Sequence, residues 1–196
     1  MGMTVKKAAD AQSASVFYSN KGKVADIPMG VSVSTAELVN GAILLDGTPV
    51  GAASSGIRKA VKMSLALAGS TASAIKVATA TNHFKVGNQI MSKVGGKSYD
   101  ITSITSSAGV DTIVPSTAID APLSNGNYVY EGAAEAASNT SAFKVSPVAI
   151  IGTNTLVDTT TNLTVDAWVI AAVKKSSIGA DVLSALKVNN AVIAEI

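Results

Sequence analysis

Four pieces of sequence decide the fold. Phe84-Lys85-Val86-Gly87 leads into Gln89-Ile90-Met91, and Val94-Gly95-Gly96-Lys97 leads into Ser98-Tyr99. Tyr99-Asp100-Ile101-Thr102-Ser103-Ile104 runs on toward Asp111-Thr112-Ile113-Val114-Pro115, and Leu123-Ser124-Asn125-Gly126-Asn127 turns into Tyr128-Val129-Tyr130. Each apolar run is short, rich in β-branched and aromatic residues, and bounded by Gly, Asn or Pro. Gly and Asn tolerate positive φ, and Pro stops a ladder because it has no N–H. This rhythm predicts four or five antiparallel strands of a small barrel or sandwich, with Gly95-Gly96 as a two-residue hairpin turn.

Outward from this core the same grammar continues. Asn40-Gly41 and Asp46-Gly47 are turn signals on either side of Ala42-Ile43-Leu44-Leu45, and Thr48-Pro49-Val50 leaves the second turn. Residues 57–67 admit a helix. However, Val61, Met63, Leu65 and Leu67 alternate with Lys62, Ser64 and Ala66, Gly69 ends the run, and that period of two favours a strand over 61–67. Residues 132–142 are a small-residue stretch, read as a loop or one helical turn. Phe143-Lys144-Val145 and Val148 to Ile151 read as strands. So does Leu163 to Val169, with Trp168 on the face opposite Leu163, Val165 and Ala167. Ser177 is placed to cap a short helix over 179–187, followed by a strand from Ala191 to Ile196. The expected architecture is therefore mainly β: a small antiparallel β-barrel or sandwich, with an extended N-terminal arm and a short C-terminal helix. The boundaries read as an arm over 1–30, a β-rich domain over 31–175, and a helix plus terminal strand over 176–196.

Composition narrows the function. The chain has 196 residues, long enough to bury a real core, and only 14% of them are charged against about 25% in an ordinary soluble domain. Such a surface suits a protein partly buried in an assembly or displayed outside a cell. The net charge is +2. Arg58, Lys59 and Lys62 are the densest basic group, with pairs at Lys6–Lys7 and Lys174–Lys175. None is interleaved with stacking aromatics, so no nucleic-acid partner is expected. The chain has no cysteine, which excludes disulfides, thiolate metal sites and a Cys nucleophile. No run reaches the roughly 18 apolar residues of a membrane helix, and no apolar segment follows Lys6-Lys7 as a signal peptide requires. The expectation is a chain made and folded in a cytoplasm, with no membrane partner.

Residues for chemistry are scarce. His83 is the one histidine and reads as a surface residue, since no second His and no Cys exists to complete a metal site or triad. Val110-Asp111-Thr112 and Leu156-Val157-Asp158-Thr159 lack the glycine that an aspartic-protease turn needs, and both read as strand-edge aspartates. Glu37, Glu131, Glu135 and Glu195 fall in turn or terminal contexts, with no spacing that pairs them as a glycosidase requires. There is no phosphate-cradling glycine loop and no nucleophile elbow. The sequons at Asn139 and Asn162 are read as chance matches. No catalytic residue, cofactor or metal is assigned, and the chain is not expected to be an enzyme.

The ordered motifs do carry a resemblance. Phe84-x-x-Gly87-Asn88-x-Ile90, Ile101-x-x-Ile104, Asp111-x-Ile113 and Leu123-x-x-Gly126-Asn127-x-Val129 together resemble the β-domain of tailed-bacteriophage head decoration and head-fiber proteins. Gly41 to Leu45, Gly47 to Val50 and Asn162 to Val169 are similar to further parts of that family, so the likeness spans roughly 35–175. Where that family usually has Gly-Asp, this chain has Gly87-Asn88 and Gly126-Asn127. The resemblance implies a structural virion protein on the capsid exterior, assembled in the host cytoplasm. Its partner would be the major capsid protein, and it would act as a homo-oligomer, often a trimer. It would stabilise the shell, and a head-fiber role would extend to host-surface glycans. The alternative reading is a carbohydrate-binding or adhesin-type β-domain. Its platforms would come from Trp168, Tyr18, Tyr99, Tyr128 and Tyr130, of which Tyr128 and Tyr130 share a strand face.

Overall fold

The computed structural model describes Phe17 and residues 23–120, 123, 125–174 and 176–196. The fold is mainly β with one short helix near the C-terminus. The strands are β1 (Lys23–Asp26), β2 (Val31–Val33), β3 (Ile43–Leu44), β4 (Pro49–Val50) and β5 (Ile57–Arg58). Next come β6 (Met63–Leu65), β7 (Ile75–Ala78), β8 (Gln89–Met91), β9 (Ser98–Ser107), β10 (Val110–Pro115) and β11 (Tyr128–Gly132). They are followed by β12 (Ala149–Ile151), β13 (Thr155–Leu156), β14 (Leu163–Val165), β15 (Ala167–Val173), helix α1 (Ala180–Val188) and β16 (Val192–Glu195).

The chain divides into two compact units. One is Val61–Val145; the other joins Met1–Ala60 to Ser146–Ile196. The stretch over 31–175 thus holds all of the contiguous unit and part of the other, and α1 and β16 belong to the unit built from both ends. Of the arm expected over 1–30, residues 1–16 and 18–22 lie outside the described residues. The remainder is tied into a sheet: β1 pairs antiparallel with β15, and buried Phe17 bridges to Val173.

The contiguous unit is a six-stranded antiparallel sheet in the order β6-β11-β8-β9-β10-β7. Its end strands approach where the Leu67 N–H donates to the Lys76 carbonyl at 2.8 Å, but no ladder of strand pairs closes it into a barrel. The inward positions are Ile75, Val77, Ile90, Ile101, Ile113 and Val129, all buried, with Phe84 and Tyr99 packed among them. Burying each such aliphatic side chain stabilises the unit by about 1.5–3 kcal/mol relative to exposure. β9 and β10 are joined by Ala108-Gly109, both at positive φ, the geometry of a tight hairpin that follows the sheet's twist.

Three expectations for this unit are corrected. Gly95-Gly96 is not a two-residue hairpin. β8 pairs with β9 from Met91–Ser98 outward, which leaves a wider loop. That loop is held from outside, since the Gly95 N–H donates to the Ser141 carbonyl and the Lys97 N–H to the Asp120 carboxylate. Phe143-Lys144-Val145 forms no strand, only one bridge from Phe143 to Gly132. The strand expected over 61–67 is confined to Met63–Leu65, and its inward side chain is the polar one. Lys62, Ser64 and Ala66 are buried, while Leu65 is 41% exposed. The cause lies across the ladder, where Ser64 sits opposite Val129 and the Glu131 N–H donates to the Lys62 carbonyl. Register against β11, rather than the apolar count of β6, sets the inward face.

In the other unit, β15 is the central strand. It pairs with β1 on one side and with β12 and β16 on the other, and β4 pairs with β12. Two small sheets, β13-β3 and β14-β2-β5, complete it around Val33, Leu44, Val50, Ile151 and Ala167. The run 163–169 breaks at Asp166, so β14 and β15 join different sheets. The Asp166 carboxylate fixes the corner, accepting from Thr153 Oγ1 at 2.6 Å and Trp168 Nε1 at 2.9 Å. The Trp168 ring lies over Gly152, where a Cβ would collide with it. Ser177 does not cap the helix: its hydroxyl donates to the Lys174 carbonyl, and Gly179 holds the cap position. The expected helix and final strand are otherwise present, and β16 returns parallel to β15.

Candidate interaction surfaces and buried polar centres

The densest polar centre was not legible in the sequence. Lys62 and Glu131 are each only 3% exposed at the side chain and form an ion pair at 3.2 Å. Lys144 joins the same Glu131 oxygen at 3.0 Å. The Lys62 ammonium also donates to Asn88 Oδ1 at 2.8 Å, and that oxygen accepts the Lys85 backbone N–H. Glu131 sits mid-strand in β11, not in a turn as its neighbours suggested. Lys62 is in the interior and not in a solvated basic group. Glu131 thus serves two cations, and the cluster ties β6, β11 and the 85–88 turn together. Removing Lys62 or Glu131 would strand a buried charge.

A second centre surrounds Asp111. Expected at a strand edge, it instead lies in β10 between β7 and β9, buried and facing Val77 and Ser106. Its carboxylate accepts from Thr79 Oγ1 and Ser106 Oγ at 2.6 Å each and from Asn82 Nδ2 at 2.7 Å. Burial pushes its pKa up, but the hydrogen bonds from Ser106, Thr79 and Asn82 together outweigh that and hold it below the ordinary value of 3.8. The Thr79–Thr81 turn itself is not buried, but Asn82 and His83 just after it are, so His83 is not at the surface. Asp158 is half-buried and caps its own turn through Thr160.

The surfaces are more open. Arg58 reaches the Gly51 carbonyl at 2.7 Å, and Lys59 pairs with Glu37 at an exposed site. Among the aromatics proposed as sugar platforms, Tyr99 and Tyr130 are buried; Tyr130 packs edge-on against Phe143 and beside Tyr128. Trp168 is half-buried over its corner, and Tyr18 lies outside the described residues. Exposed apolar side chains include Val24, Ile170 and Val192 on the β1-β15-β16 part of one sheet. Among the described residues no group of three or more His, Asp or Glu could hold a metal ion. No described helix is long and apolar enough to cross a membrane.

No family model matches this chain, and no curated protein and no solved structure matches it either.

Proposed function

We propose that this chain is a structural virion protein that binds the outside of a phage capsid as a decoration or head-fiber protein and stabilises the shell. One observation carries the reading. The apolar positions of the ordered motif, Phe84, Ile90, Ile101, Ile113, Leu123 and Val129, all fall in one core cluster, with Ile104 packed against it. Its turn glycines, Gly87 and Gly126, both take the positive φ that the motif's turns require. These four pieces of the motif therefore lie within one contiguous unit that has its own core. The mechanism is linkage. A protein that binds the expanded lattice and not its dissociated subunits stabilises the lattice by mass action. The low-charge surface fits a chain that spends its working life against other protein.

The test is co-sedimentation with procapsids and with expanded heads of the source phage. Saturable retention on expanded heads, with higher resistance of those heads to heat, is the expected result. Recovery in the supernatant with both forms overturns the reading. Limited proteolysis adds the role of residues 1–29: protection there only in the head-bound state is expected if that segment docks on the shell.

A further inference from the structure

We propose that β16 is a dimerisation edge, pairing antiparallel with β16 of a second copy about a two-fold axis at Ala194. β16 bonds to β15 in parallel register, Ile170 to Val192 and Ala172 to Ala194, and the Ile196 N–H donates to the Val173 carbonyl. That register turns the backbone groups of Val192, Ala194 and Ile196 toward β15. It turns those of Ile193 and Glu195 toward the far edge. Among the described residues no strand pairs with that edge.

The edge is only lightly guarded, by its shortness and the single charge of Glu195. Natural sheets blunt such edges with Pro, Lys or a bulge. Val192-Ile193-Ala194-Glu195-Ile196 has none of these and carries one charged side chain. Its outward face is apolar, with Val192 at 60% exposure and Ile196 at 59%.

A second copy is the occupant because the strand is complementary to itself in one register. With a two-fold axis through Ala194 and normal to the sheet, Ala194 faces Ala194 of the other copy as a non-hydrogen-bonded pair. The flanking pairs, Ile193 with Glu195 on either side, exchange both N–H···O bonds, and they use the backbone groups the β15 ladder leaves over. On the outward face Val192 meets Ile196, so apolar meets apolar. Glu195 meets Ile193 and never its own copy, which avoids the like-charge pairing that destabilises strand contacts. The apolar row Ile170–Val192 then continues across the axis, giving an isologous interface.

The experiment uses the full chain and needs no capsid, so this proposal and the capsid reading fail independently. The chain has no cysteine, so Ala194→Cys introduces a lone thiol. Non-hydrogen-bonded pairs hold their Cα atoms about 4.5 Å apart, within the span a disulfide bridges. Mild oxidation is expected to convert Ala194→Cys to a covalent dimer, whereas Ala172→Cys, on the same face one strand inward, stays monomeric on a non-reducing gel. In sedimentation velocity the natural chain is expected at twice the chain mass and Ala194→Lys at the chain mass, with unchanged circular dichroism. Mixing Ala194→Lys with Ala194→Glu is expected to restore the dimer, which a misfolded variant could not do. A natural chain that stays monomeric at its highest soluble concentration overturns the proposal. So does an oligomer whose Ala194→Cys variant crosslinks no faster than Ala172→Cys.

Discussion

Glu131 holds together the Lys62–Lys144 ion cluster of the contiguous unit. Removing it takes the carboxylate away from the buried Lys62 ammonium, so Glu131→Ala is expected to cost about 3–5 kcal/mol in urea unfolding. Lys144→Ala removes the partly solvated cation and leaves the Lys62 pair intact, so its cost is expected to be well under half of that. Equal losses for the two would show that burial does not govern the cluster. Asp111 gives a pH signature. Its folded pKa lies below 3.8, so between the two values the unfolded chain binds more protons and stability rises with pH. The Asp111 contribution is therefore full above about pH 4 and is lost as pH falls through the lowered pKa. Urea midpoints measured down that range are expected to fall more steeply in the natural chain than in Asp111→Asn. Neither centre was legible in the sequence, because Lys62, Glu131 and Lys144, like Asp111 and Asn82, are brought together only by strand pairing.

Elements are legible in the sequence to different degrees, for a physical reason. Turns were legible where Gly or Asn supplies positive φ, as at Gly41, Gly47, Gly87 and Gly126. The α1–β16 end was legible because a short amphipathic run was bounded by Asn189-Asn190. Strand faces were less so. In β6, alternation located the strand but could not say which side is inward, since that depends on a partner far along the chain. The tightest hairpin was missed because it is built on Ala108, a residue that pays for a left-handed conformation at φ 50. Asn tolerates that conformation better and forms the favoured two-residue turn with a following Gly. Ala108→Asn is therefore expected to raise stability by about 0.5–1 kcal/mol, within the strain an L-residue carries there. Thermal unfolding checks it, and a lower midpoint would mean the turn is not the strained element the dihedrals indicate.

At the scale of the whole molecule, the division into two units has a direct test. Val61–Val145 contains all six strands of its sheet and its own core. Expressed alone, it is expected to unfold in one cooperative transition with about 4–13 kcal/mol of stability, the range for a unit of this length. A fragment lacking a cooperative transition would show that its core needs the rest of the chain. The other unit places β15 between β1, which precedes the contiguous unit in the chain, and β16, which follows it. During synthesis on the ribosome the contiguous unit can close as soon as Val145 emerges. β1, by contrast, must wait for Ala167–Val173 before it has a partner. Long loop closure of this kind slows folding and leaves strand edges open to neighbouring nascent chains. Translation therefore imposes an order, inner unit first and terminal unit last, and the late sheet is the one most exposed to mispairing while it waits.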